Sequence, residues 1–157
     1  KEALFQQPFA NENEAEVLEL MKHPGTAITF SDSGAHVSQI CDASIPTHLL
    51  AYWVREKQAL SLEEAVKKLT FDNASAWGFG DRGLARAGYA ADLIVFDPAR
   101  VAPGMPEVVH DLPGGARRLI QRADGFRASV VNGRVLLRDG EPTGELPGRV
   151  LRPGAAA

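Results

Sequence analysis

The chain has 157 residues, of which 45% are hydrophobic and 24% are charged, and its formal net charge is -3 at pH 7. This length fits one ordinary domain, and the composition excludes a disordered tail, a collagen-like repeat and a coiled coil. No apolar run approaches the ~20 residues of a membrane span, and no signal-peptide pattern is present. The net negative charge gives no general reason to bind nucleic acid. We therefore expect a cytoplasmic protein that has a small-molecule or protein partner and binds neither membrane nor nucleic acid.

The N-terminal segment predicts a helix followed by a short strand. Asn11 or Asn13 is a suitable N-cap for the helix, which is expected to end before Pro24. Residues 27–30 are short, β-branched and aromatic, and they run directly into the polar residues 31–36. This pattern predicts a buried strand that opens into a loop.

Helical periodicity continues through the middle of the chain. Residues 47–57 follow Pro46, which is favoured at the first position of a helix. Ser61 and Glu64 have the spacing of a capping box, so a second helix is predicted to begin there. A further helical turn is expected to end at Gly78.

The region after Gly83 predicts β structure. Residues 91–96 form an apolar run that is typical of a strand, and Asn132-Gly133 favours a type I′ turn between strands at 127–131 and 134–137. The Gly- and Pro-rich tail is expected to be extended or mobile.

Asp32 is the strongest candidate for a catalytic residue. It lies where the predicted strand gives way to its loop, which is where ligands and metals bind in parallel α/β folds. A carboxylate at this point can bind a divalent metal or accept a proton from water. The alternative is that Asp32 caps a turn, and its position alone does not decide between the two.

The remaining metal-ligand residue types do not form a site of their own. The four histidines and the single cysteine show no spacing typical of zinc ligands, so a self-contained zinc site is not expected. His36 is four residues after Asp32 and is either a ligand-contacting residue or an exposed loop histidine. Cys41 has no activating base nearby in the sequence, and a nucleophilic role is not expected.

Several motifs follow one another in an order that is typical of one enzyme family. Ser-Asp-Ser-Gly-Ala-His at residues 31–36 precedes Leu-Glu-Glu-Ala-Val at 62–66, and Gly-Tyr-Ala-Ala-Asp-Leu-Ile-Val-Phe follows at 88–96. This order, with Val-Val-Asn-Gly-Arg at 130–134, resembles the C-terminal part of the amidohydrolase superfamily. The sequences at 42–48, 111–115 and 144–149 are most similar to its D-aminoacylase branch, the N-acyl-D-amino-acid deacylases.

The resemblance implies an α/β plus β fold. Residues 1–80 would be the last strand-helix unit of a metal-dependent (β/α)8 TIM barrel. Residues 81–157 would be the C-terminal portion of a small β-sandwich with an extended tail.

The resemblance also implies an activity, the zinc-dependent hydrolysis of the acyl-amide bond of N-acyl-D-amino acids. Asp32 would contact the metal and act as general base and acid, and Ser33 and His36 are the candidate substrate-binding residues. The family's other metal ligands are absent from this chain. We therefore expect a fragment whose site is completed by a missing N-terminal part or a partner chain.

Two other functional classes stay open. The spacing of Asp32 and His36 also resembles the loop of cyclic-amide hydrolases of the dihydroorotase or hydantoinase kind. The chain could instead be an inactive structural or assembly module. If a barrel is incomplete here, exposed apolar surface should favour self-association.

Overall fold

The computed structural model describes residues 5, 7, 10–29, 31–38 and 43–152. The helices are α1 (Glu14–Lys22), α2 (Ile45–His48), which continues as a π-helix (Leu49–Glu56), α3 (Leu62–Leu69) and α4 (Phe71–Ala76). The strands are β1 (Leu93–Phe96), β2 (Ala102–Leu112), β3 (Ala116–Asp124), β4 (Phe126–Val131), β5 (Arg134–Arg138) and β6 (Glu141–Pro142). Within these residues, no helix has the length and apolar character needed to cross a membrane.

The predicted helix caps are confirmed. The Asn13 side chain accepts a hydrogen bond from the Ala15 amide at 3.1 Å, which satisfies a free N–H group at the start of α1. At the start of α3, the Glu64 amide donates to Ser61 Oγ at 3.1 Å, and the Ser61 amide donates to Glu64 Oε2 at 2.9 Å. Both halves of the capping box are therefore formed.

The predicted helix at residues 47–57 is present, but most of it has π-helical hydrogen bonding over Leu49–Glu56. It contributes half of the side chains in the buried core cluster. The buried core cluster consists of Leu49, Leu50, Trp53, Leu60, Ala65 and Val101. The core therefore joins the helical part of the chain to Val101, which lies just before β2.

The β structure forms two antiparallel sheets. One has the strand order β1-β4-β5-β6, and the other is the β2-β3 hairpin. The predicted hairpin is confirmed as β4-β5, where Asn132 and Gly133 have φ angles of +48° and +78°, as a type I′ turn requires. The long β2-β3 hairpin was not predicted, because Pro103 and Pro106 in β2 are residues that normally interrupt a strand.

The prediction of a strand at residues 27–30 was wrong for the residues that can be described. Residues 27–29 carry no strand pairing, and residue 30 lies outside the described residues. A strand requires a neighbour, and none pairs with this segment in the described part of the chain. Instead, the carbonyl of Ile28 accepts a hydrogen bond from Asn73 Nδ2 at 2.6 Å. The combination of helices and sheets is confirmed, whereas the barrel unit and the domain division after residue 80 stay predictions.

Strand β1 is a sheet edge with exposed apolar side chains. Leu93, Ile94 and Val95 are 44%, 61% and 52% exposed, and because successive side chains alternate, both faces of the strand carry apolar surface. Such an edge favours association. Self-association stays a prediction.

Candidate functional site

The loop that carries Asp32 is a compact turn. The Ala35 amide donates to the Asp32 carbonyl at 3.0 Å, and Gly34 has a φ angle of +90°. Ser31 Oγ accepts from the Ser33 amide at 3.2 Å and donates to Ser33 Oγ at 2.9 Å. These local bonds satisfy the backbone and the serine hydroxyls without using the Asp32 side chain.

Both ends of this loop are attached to other elements. Before it, Asn73 in α4 donates to the Ile28 carbonyl. After it, the Leu119 amide in β3 donates to the Val37 carbonyl at 2.8 Å. Neither attachment was predicted, because each joins residues far apart in the chain. Helix α4 also contains the polar residues Asp72 and Ser75, so nothing in the local sequence distinguishes Asn73.

The three candidate site residues lie together on this loop and are exposed. Asp32, Ser33 and His36 each face solvent. Among the described residues, Asp32 makes no side-chain hydrogen bond or ion pair. Its carboxylate is therefore available to a proton donor, a cation or a substrate. The alternative role as a side-chain cap is not used here, although its carbonyl does close the turn.

The described residues do not fit a metal ion by themselves. They contain no group of three or more His, Cys, Asp or Glu side chains placed to hold a metal. Catalytic zinc sites normally use three protein ligands, and Asp32 would supply one. That the chain has no self-contained zinc site stays a prediction.

The other histidines make local contacts. His23 Nδ1 accepts from the Gly25 amide at 3.0 Å, and His110 Nδ1 lies 3.2 Å from the Gly115 carbonyl oxygen. His48 stacks on Tyr52, with ring centroids 4.9 Å apart. These histidines are accounted for by local structure. Cys41 lies outside the described residues.

Perturbed carboxylates occur in two surface ion pairs. The Lys57 ammonium, 2.6 Å from Glu14 Oε2, is the main reason that the pKa of Glu14 is lowered, and the Tyr52 hydroxyl adds to the effect. Arg118 makes a bidentate pair with Asp111 at 2.7 and 2.6 Å, which lowers the pKa of Asp111. Each pair joins two separate elements, so its role is to stabilise the fold.

Comparison with known proteins identifies the family. A sequence model of the amidohydrolase family matches residues 6–137. The chain belongs to this family. The resemblance drawn from the motif order is therefore confirmed.

The proteins similar to this chain include a deacylase and an aminoacylase. An N-acyl-D-aspartate deacylase from Alcaligenes xylosoxydans xylosoxydans is 45% identical over 111 residues, which cover 70% of this chain and 20% of that protein. A D-aminoacylase from the same organism is 37% identical over 108 residues, covering 69% and 20%. This chain therefore spans about a fifth of the length of these relatives.

Solved structures agree with the assignment of this chain to the amidohydrolase family. A D-aminoacylase crystal structure superposes with a TM-score of 0.54 and 34% identity, over 67% of this chain and 20% of that one. Another D-aminoacylase structure, with a TM-score of 0.53, is described as having a binuclear metal center. Amidohydrolases similar to this chain thus include metal-containing deacylases.

Proposed function

We propose that this chain supplies part of the active site of an N-acyl-D-amino-acid deacylase, with Asp32 as its proton-transfer residue. The observation that carries the proposal is the exposed carboxylate of Asp32, which has no partner among the described residues and lies on a loop attached at both ends. Similarity to an N-acyl-D-aspartate deacylase and a D-aminoacylase supports the choice of substrate class.

In the proposed reaction, water attacks the acyl carbon of an N-acyl-D-amino acid and the amide C–N bond breaks. Asp32 accepts a proton from the attacking water and then gives a proton to the leaving amine nitrogen. The products are a carboxylic acid and a free D-amino acid. A general acid-base residue of this kind typically contributes roughly 100- to 10,000-fold in rate.

The proposed site includes a metal, for which we name zinc, and its other ligands would come from outside the described residues. A divalent metal polarises a carbonyl and lowers the pKa of water. The similar D-aminoacylase with a binuclear metal center supports metal dependence. This chain's own part is to hold Asp32 at the site, and Ser33 and His36 are placed on the same loop to contact the substrate.

A hybrid enzyme tests this proposal. In the N-acyl-D-aspartate deacylase, the region similar to this chain is replaced by this chain, and the product is called the hybrid deacylase. Hydrolysis of N-acetyl-D-aspartate is measured with added zinc, with N-acetyl-L-aspartate as the stereochemical control. The same relative without the region is the background. We expect activity above background on the D substrate.

The same hybrid separates the alternative functions. Dihydroorotate and hydantoin are assayed beside the N-acyl substrates. Ring opening without hydrolysis of the N-acyl substrates would favour the cyclic-amide alternative over our proposal. A hybrid that is soluble, folded and metal-loaded but hydrolyses none of these substrates would contradict the proposal and favour a structural module.

A further inference from the structure

A cavity of about 440 Å³ lies between the segment that follows α4 and the C-terminal tail. Its walls come from residues 78–82, residues 88–91, the β4-β5 turn and residues 149–152. This volume falls within the range of small-molecule sites. None of the loop residues 31–38 lines it, so it is separate from the Asp32 loop.

Small residues keep this cavity open. A Cβ built on Gly80 or on Gly88 would meet no atom within 4 Å. Ala90 and Ala91 add only methyl groups to the wall. Backbone therefore forms much of the surface, and a ligand can approach it closely.

Three arginines line the cavity, and only one of them is neutralised. Arg82 pairs with Asp92 and lies 3.7 Å from Asp81 Oδ1, and its side chain is 13% exposed. Arg149 makes only a long contact of 3.4 Å with the neutral amide oxygen of Asn132. Arg152 has no ion-pair or hydrogen-bond partner among the described residues. The guanidinium groups of Arg149 and Arg152 therefore have no carboxylate partner among the residues that the structure describes.

A hydrogen-bonded network holds this wall in place. Arg82 donates to one oxygen of Asp92, and the other oxygen of Asp92 accepts from the Asn132 amide at 2.8 Å. Asn132 Nδ2 donates to the Pro147 carbonyl at 2.7 Å, and its Oδ1 accepts from Arg149. The network fixes the tail against the β4-β5 turn. It therefore holds the tail at Pro147, two residues before Arg149, which limits how far the backbone that carries Arg149 must be ordered on binding.

One buried donor in this network is unused. Arg82 Nε is buried and makes no hydrogen bond in the described part of the chain, although Asp81 Oδ1 lies 3.7 Å from it at ion-pair distance. A buried polar group without a partner is uncommon and requires an explanation. An acceptor bound in the cavity would supply one.

We propose that this cavity binds a small organic oxyanion, with a carboxylate or phosphate group on the arginines and an apolar part against the apolar side chains that line the cavity. Guanidinium groups bind both kinds of oxyanion through paired N–H donors. Phe79, Tyr89, Val150 and Leu151 provide the apolar surface. The site does not depend on the proposed deacylase activity.

Binding is tested on the full chain by following backbone amide signals in NMR during titration with benzoate. Phenyl phosphate, inorganic phosphate and benzamide are titrated in parallel. Benzamide has the shape of benzoate without its charge, and inorganic phosphate lacks an apolar part. We expect saturable shifts at residues 78–82, 88–91 and 149–152 with benzoate or phenyl phosphate, and at least tenfold weaker binding of benzamide and inorganic phosphate. The stronger of the two aromatic ligands identifies the oxyanion.

The variant Arg149→Gln with Arg152→Gln should weaken binding at least tenfold. Arg100→Gln with Arg138→Gln is the matched control, because both arginines are exposed outside the cavity and the net charge changes equally. Circular dichroism confirms that both double variants are folded. Equal weakening in the two double variants, equal binding of benzamide and benzoate, or shifts confined to other residues would overturn the proposal.

Discussion

Replacing Gly125 by alanine should strongly destabilise the junction between the β2-β3 hairpin and the core. Gly125 connects β3 to β4 and has a φ angle of +83°. An added Cβ would lie 2.5 Å from the Val101 nitrogen and 2.6 Å from its Cα. Val101 is 1% exposed and belongs to the core, so its backbone cannot move without disturbing that packing.

The expected magnitude has two parts. A left-handed φ costs a residue with a Cβ roughly 1–2 kcal/mol. Overpacking against a fixed neighbour typically costs a further ~1–3 kcal/mol. Gly125→Ala should therefore lower the free energy of unfolding by about 2–5 kcal/mol, a large fraction of the ~5–15 kcal/mol typical of a folded domain.

Gly140→Ala is the matched control. Gly140 has a φ angle of +87°, yet nothing lies within 4 Å of its Cβ position, so only the first part of the cost applies. Urea unfolding measures both variants from the midpoint and slope. The close contact of Gly125 with Val101 is refuted if the two alanine variants lose the same free energy.

Two further predictions concern caps and charge. Ser61→Ala should lower the free energy of unfolding by about 1 kcal/mol because the α3 capping box is lost, whereas Ser75→Ala, an exposed serine, should leave the urea midpoint nearly unchanged. The lowered pKa of Glu14 means that its bond with Lys57 stabilises the fold above the ordinary pKa of the carboxyl, and this contribution is lost as the pH falls through the lowered value. When the pH falls from 7 to 3, the free energy of unfolding of Glu14→Gln, measured by urea unfolding, should therefore decrease less than that of the unaltered chain. An equal decrease would contradict a stabilising bond between Glu14 and Lys57. Glu12→Gln is the control and should behave like the unaltered chain.

The features predicted correctly from sequence depend on neighbouring residues. The Asn13 cap, the Ser61–Glu64 box and the Asn132-Gly133 turn each require contacts within three residues, so the local sequence is sufficient. The β2-β3 hairpin needed pairing between residues such as Ala102 and Asp124. Its prolines lie beside register shifts, where a strand tolerates them, and that context is not visible in the local sequence.

In the candidate site too, features that depend on neighbouring residues could be predicted, and contacts between distant residues could not. Asp32, Ser33 and His36 could be placed on one loop from sequence because they are adjacent and polar. The attachments of that loop, from Asn73 to Ile28 and from Leu119 to Val37, join residues far apart and could not be found from spacing. The predicted strand before the loop was wrong for a related reason, because a strand needs a pairing partner that local sequence does not show, and no described residue pairs with residues 27–29.

The role of Asp32 is tested most directly by Asp32→Asn in the hybrid deacylase. Asp139→Asn is the control, since Asp139 is exposed on the β5-β6 turn, has a φ angle of +48° that asparagine also tolerates, and lies 3.3 Å from Arg127. We expect kcat/KM for N-acetyl-D-aspartate to fall at least ~100-fold in Asp32→Asn and to stay within about twofold in Asp139→Asn, because a single surface ion pair contributes little. A folded Asp32→Asn enzyme that retains its activity would show that Asp32 is not the proton-transfer residue.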